Sequence, residues 1–226
     1  MNPTLKQPVI TYAELTPNPS AMKFVANKIL LENALPLEFL NPADAKLSPL
    51  ATELFKFPFV KSVFIAGNYI TLFKADGIDW NDVTLELREF LREYLTEQKP
   101  ILNAPRTQPA VVPKEGLAEL SATSENTKDG FNSPPSGELE GASVDHAVPQ
   151  NELEQKIIAV LEQYVRPAVE QDGGMIVFKS YKDGVVSLTM RGACSGCPSS
   201  TVTLKAGIEA ILKKFVPEVK EVMSEG

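Results

Sequence analysis

Gly192-Ala193-Cys194-Ser195-Gly196-Cys197-Pro198-Ser199-Ser200 holds both cysteines of the chain and decides how its C-terminal third is read. Two apolar runs precede it, Met175–Tyr181 and Val185–Arg191, separated by the hairpin-turn dipeptide Asp183-Gly184. After it, Pro198 suits the first turn of a helix, and Leu204, Ile208, Ile211, Leu212 and Phe215 fall on one helical face. The two thiols therefore stand in a loop between a strand end and a helix start. Backbone N–H groups and the helix dipole favour anions at such a point, so the placement predicts thiols of low pKa, ready as thiolates to bind metal or attack a disulfide. Gly192 and Gly196 let the loop curl so that both sulfurs point the same way. The chain has no other thiol, so a four-thiolate site requires two chains.

Working outward, Asn151 with Glu154 three residues on is a capping-box arrangement. It opens a helical stripe of Leu153, Ile157, Val160, Leu161, Tyr164 and Val165, which Pro167 should bend or end. Asp172-Gly173-Gly174 breaks into the first strand, and Val219–Met223 is placed to add a third. Residues 151–226 thus read as α-β-β-loop-α-β. Residues 97–150 carry seven prolines, one aromatic residue (Phe131), and 4 basic against 8 acidic groups. Such a segment buries too little apolar surface to offset its ordering entropy and reads as a flexible tether, with a marginal short helix near Lys114–Leu120. Residues 1–96 read as a second mixed α/β unit. Met22–Leu31 is apolar and extended, and Ser48-Pro49 opens a short helix. Val60–Ile65 and Tyr69–Phe73 flank a Gly67-Asn68 turn, and Asp79 caps a helix bearing Val83, Leu87, Phe90, Leu91 and Tyr94. The expected fold class is α/β (α+β), with two small mixed domains at 1–96 and 151–226 joined by a linker.

Composition narrows the function. Hydrophobic residues make up 43% of the chain, yet no run approaches the roughly 18 apolar residues of a membrane span. The net charge of −7 gives no electrostatic support for nucleic acid or anionic lipid, and residues 97–150 supply four of those seven charges. The first residues lack the blocks of a secretory signal or an organelle transit peptide, so a cytoplasmic location with reduced thiols is expected. His146, the sole histidine, falls in the tether and reads as a solvated spacer residue. Trp80 and Phe90 read as core, Asp172 as a turn residue and Lys205 as solvated. Phosphate-loop and dinucleotide fingerprints are absent, and nothing points to an enzyme.

Three chemistries compete for Cys194 and Cys197. A C-x-x-C pair serves thiol–disulfide exchange, although that motif usually follows the first strand of a βαβ unit and here follows a hairpin. A dimeric Cys₄ site suits structural zinc. Four thiolates also hold a [4Fe–4S] cluster, two chains giving two each across a two-fold interface. Buried structural thiols fit poorly, because the flanking Gly, Ser and Pro make a poor core strand.

The wider setting resembles the NifU-like, or Nfu, C-terminal domain of iron–sulfur cluster assembly proteins. Val165-Arg166-Pro167, Asp172-Gly173-Gly174, the cysteine segment and Thr203–Glu209 carry that resemblance over roughly residues 152–223. Residues 16–96 are similar to the Nfu N-terminal domain through Thr16-Pro17-Asn18-Pro19-Ser20-Ala21-Met22-Lys23-Phe24 and Ser48-Pro49-Leu50-Ala51. The chain departs from the family at Met175, where an acidic residue is typical. The resemblance implies a non-enzymatic carrier with Cys194 and Cys197 as ligands of a [4Fe–4S] cluster shared by a homodimer. Its partners would be apo iron–sulfur client proteins and an upstream assembly scaffold. The N-terminal domain, lacking ligand residues, is expected to recognise such partners.

Overall fold

A computed structural model describes residues 8–32, 36–103, 146–195 and 198–225, with the side chains of residues 198–201 and 225 left aside. The N-terminal unit is a five-stranded antiparallel sheet in the order β1-β2-β5-β4-β3. Its strands are β1 Thr11–Leu15, β2 Ala21–Ala26, β3 Leu37–Phe39, β4 Val60–Ala66 and β5 Tyr69–Lys74. Two helices cover one face, α1 Pro49–Leu54 and α2 Trp80–Thr96. Ser48 caps α1 by accepting from the Ala51 amide, and Asp79 caps α2 by accepting from Asn81. Both caps stand where the sequence placed them. The predicted long strand Met22–Leu31 stops at Ala26, because Leu30 and Leu31 turn off to bond the Gly67 carbonyl.

Period-two alternation sorts β2, β4 and β5 into two apolar faces. Met22, Phe24, Val63, Ile65, Ile70 and Leu72 join Val83, Leu87 and Leu91 of α2 in the main core. Val25, Phe64, Ala66 and Tyr69 face the opposite way. Every residue of β2 is buried, which a sheet covered on one face does not produce.

The C-terminal unit runs α3 Glu152–Val160, a π turn at Leu161–Val165, α4 Arg166–Gln171, β6 Gly174–Lys182, β7 Val185–Gly192, α5 Pro198–Phe215 and β8 Glu221–Glu225. β6 and β7 form the expected hairpin, and β8 pairs parallel to β7 after the α5 crossover. Asn151 caps α3 as read, while Glu154 returns to the Gln150 amide at 2.7 Å. The bend expected at Pro167 is spread over the wide turn just before it, which keeps Ile157, Leu161, Val165 and Val169 all on the core side.

β6 is also two-faced. Ile176 and Phe178 enter the C-terminal core, whereas Met175 and Val177 pack with Val25, Phe64, Ala66 and Tyr69. The outer face of β6 thus closes the second face of the N-terminal sheet. Burying a side chain such as Met or Val fully contributes about 1.5–3 kcal/mol, so this seam is a substantial contact.

Both ends of the expected linker are placed. Residues 97–103 belong to the first unit: Ile101 and Leu102 pack on its core, and the Ile101 carbonyl accepts from Ser48 Oγ at 2.7 Å. His146 is not a solvated spacer residue. Its side chain is 9% exposed, Nδ1 accepts from the Phe178 amide at 2.8 Å, and Nε2 meets Glu162 at 2.7 Å. It fastens the chain to β6 where the second unit begins. The short helix read near Lys114–Leu120 lies outside the described residues.

Candidate functional site

The cysteine loop leaves β7 at Gly192, whose φ of +61° is natural only for glycine. The Ala193 amide donates to the Gly173 carbonyl and the Ser195 amide to the Gly192 carbonyl, so the loop folds back over the start of β6. Ser195 Oγ donates to the same Gly192 carbonyl at 2.8 Å. α5 then begins at Pro198, as the sequence indicated. Gly196 and Cys197 lie outside the described residues, so of the two candidate ligands the geometry concerns Cys194.

Cys194 is 4% exposed and belongs to the C-terminal core cluster. Its sulfur fills the space that a side chain at residue 174 would take, so glycine there makes room for the thiol. Beside it lies a cavity of about 330 Å³, lined by Pro17, Tyr164, Asp172, Cys194, Leu204 and Ile211 among others. Burial pushes the Cys194 thiol up to about 12, and the nearby Asp172 carboxylate adds to the effect. Burial likewise raises the pKa of Asp172 from its ordinary value, with Lys23 acting against it. Two expectations are corrected here. The thiol is buried despite its Gly, Ser and Pro neighbours, and it is held as the protonated form. Burial, and not the helix start, is the first cause of that shift.

The residues missed by sequence reasoning come from the N-terminal unit. Asn18 of the Thr16–Ser20 turn is 5% exposed, and its Nδ2 donates to the carbonyls of Ala193 at 3.3 Å and Ser195 at 3.4 Å, on either side of Cys194. Thr71 Oγ1 donates to the Gly173 carbonyl at 2.7 Å and the Tyr69 hydroxyl to the Gly174 carbonyl at 3.0 Å. Lys23 Nζ donates to the Gln171 carbonyl at 3.2 Å, pairs with Glu14 at 3.1 Å and lies over the Tyr69 ring. Glu38 accepts from the Gly192 amide at 3.2 Å; burial raises its pKa, with the Gly192 bond and Arg191 opposing. A signal for two of them existed: Lys23 and Thr71 are polar residues within the apolar buried runs of β2 and β5.

Other candidates fall into place. Met175, the departure from the family pattern, is 5% exposed and sits in the seam. Asp172 ends α4 at the turn into β6, as read. Lys205 makes a 3.5 Å surface pair with Glu221, and such pairs contribute little. Trp80 and Phe90 pack on the N-terminal core, and Trp80 Nε1 donates to the Pro19 carbonyl. No group of three or more His, Cys, Asp or Glu that could hold a metal occurs among the described residues.

A two-domain α/β protein with a cysteine loop between a β-hairpin and a helix is the class these features define. Residues 157–223 match the NifU-like domain, residues 10–98 match the scaffold protein Nfu/NifU N-terminal domain, and the chain belongs to this NifU/Nfu family. It is 33% identical over 208 residues to the human NFU1 iron–sulfur cluster scaffold homolog, mitochondrial, covering 92% of this chain and 68% of that protein. The Drosophila sechellia protein of the same name is 33% identical over 207 residues, again 92% of this chain but 62% of the relative. A looser likeness is to the solution structure of a NifU-like protein from Saccharomyces cerevisiae, with a TM-score of 0.40 and 22% identity, covering 46% of this chain and 92% of that one. These names correct the cytoplasmic expectation, since the human and fly relatives are mitochondrial proteins. Among the described residues no helix is long and apolar enough to cross a membrane.

Proposed function

We propose that the protein is an iron–sulfur cluster scaffold and carrier that catalyses no reaction. Two chains bring Cys194 and Cys197 together as the four ligands of one [4Fe–4S] cluster, which passes to apo-proteins. The observation that carries this reading is the position of the only two thiols, three residues apart in a loop between β7 and α5. A [4Fe–4S] cluster takes four thiolates, so each chain supplies half of the site. The family and the names of the human and fly relatives support the same reading. A cluster held between two loops is also easier to release than one enclosed within a single chain.

Anaerobic reconstitution tests the proposal. The expected product is a brown dimer holding about four iron and four sulfide per pair of chains, lost on Cys194→Ser or Cys197→Ser. A colourless monomer without iron refutes the reading, and a colourless zinc dimer replaces it with a structural zinc site.

A further inference from the structure

The seam between the domains concentrates on one place. Among the described residues, six hydrogen bonds link N-terminal side chains to the C-terminal unit, and each of these ends on its backbone within residues 171–174 or 192–195. Those two segments are the turn before β6 and the loop that bears Cys194. The fit is close. A Cβ on Gly173 would come within 2.9 Å of Thr71 Oγ1, and one on Gly192 within 3.0 Å of Phe64 Cδ1. Pro17 adds an N-terminal wall to the cavity beside Cys194, and Ser195 borders a second cavity together with Asn18 and Glu38. Beneath the polar contacts lie the apolar ones, Met175 and Val177 against Val25, Phe64, Ala66 and Tyr69. Met175 and Val177 would be exposed if the domains parted, and a carboxylate at 175 would face apolar side chains in the seam.

We propose that the outer face of β6, with the cysteine loop at its end, is a docking surface for the N-terminal sheet of the same chain, and that the docked sheet acts as a cap holding Cys194 turned inward. Asn18 and Glu38 tie the N-terminal sheet to the loop on both sides of Cys194, and in this proposal the cap lifts before the cysteines of two chains share a site. Asn18 is its latch on the loop, because one amide spans the carbonyls on both sides of the cysteine. This goes beyond the carrier reading, and depends on it only for the identity of the thiols that matter.

The test uses the full-length, reduced, metal-free chain carrying Cys197→Ser, so that Cys194 is the only thiol. Iodoacetamide labelling is followed by intact mass, with the urea-unfolded chain as the reference rate, and small-angle X-ray scattering reports the separation of the domains. The docked chain is expected to be compact and to label at least about tenfold more slowly than its unfolded form. Adding Met175→Glu should expand the particle and raise the labelling rate by about tenfold, since a carboxylate is expelled from an apolar seam. Asn18→Ala leaves the apolar seam intact and should raise the rate by a smaller factor without expansion; it also serves should Met175→Glu fail to fold. An extended parent chain, an expanded Met175→Glu chain whose labelling is unchanged, or a Met175→Glu chain that stays compact and slow to label would each overturn the cap. None of these readouts involves a cluster, so failure of the carrier reading would leave a different trace.

Discussion

Gly174→Ala probes the packing around the candidate ligand directly. Residue 174 pairs with Gly192 across the β6–β7 ladder, and a Cβ added there would lie 2.8 Å from the Arg191 carbonyl oxygen and 3.0 Å from Cys194 Cβ, and would overlap the Cys194 sulfur. Carbon atoms pack at about 3.5–4.0 Å, so the sulfur and the strand must both give way. The sulfur is buried and the carbonyl belongs to a paired strand, which leaves little slack. Overpacking of this kind costs typically 1–3 kcal/mol, and two rigid neighbours place the cost near about 2–3 kcal/mol. With a urea slope of about 2 kcal/mol per M, the midpoint of the metal-free protein should fall by about 1 M, followed by circular dichroism. Cys194→Ala removes the sulfur but not the carbonyl. In the double variant Gly174→Ala/Cys194→Ala the penalty of the glycine change should therefore shrink by about 1 kcal/mol, a coupling expected only of residues in contact. Strictly additive effects would show that the thiol does not occupy the notch above Gly174.

Ser48→Ala should destabilise the N-terminal unit by about 1–3 kcal/mol in thermal or urea unfolding, because it removes a helix cap and leaves the Ile101 carbonyl without its donor. The segment 100–103 should then gain a cleavage in limited proteolysis that the parent chain lacks. Burial acts to raise the pKa of Glu162, but hydrogen bonds from His146 and Arg166 outweigh it and hold the carboxyl below its ordinary value of 4.5. The stability this lends is therefore present above pH 4.5 and is lost as the pH falls through the lowered folded-state pKa. Glu162→Gln should flatten that part of the acid unfolding curve, and an unchanged acid limb would remove Glu162 from the account.

The C-terminal fold was legible because its punctuation is local. Asn151, Asp183-Gly184 and Pro198 each mark a boundary through their own backbone chemistry, and the elements between them carry clean periodicity. β1 and β3 were not legible. β1 leaves Tyr12 and Leu15 exposed and lies on the sheet edge, while β3 is three residues long, so their strand character comes from pairing with β2 and β4. The position of the cysteine loop was readable for the same local reason as the hairpin. The state of its thiol was not, because burial of Cys194 depends on Gly174, Ile208 and Pro17, which are near only in space. His146 misled for a similar reason: composition assigned it to the tether, and only the fold brings the Phe178 amide to its ring.

The seam on β6 has a consequence in mass action. It joins two parts of one polypeptide, so the share of closed molecules does not change as the protein is diluted or concentrated. If two chains pair through their cysteine loops as proposed, that pairing rises with concentration. Where it competes with the seam, a rare protein would stay shut and an abundant one would open into pairs. The amount of protein the cell makes would then itself set the threshold at which cargo is accepted.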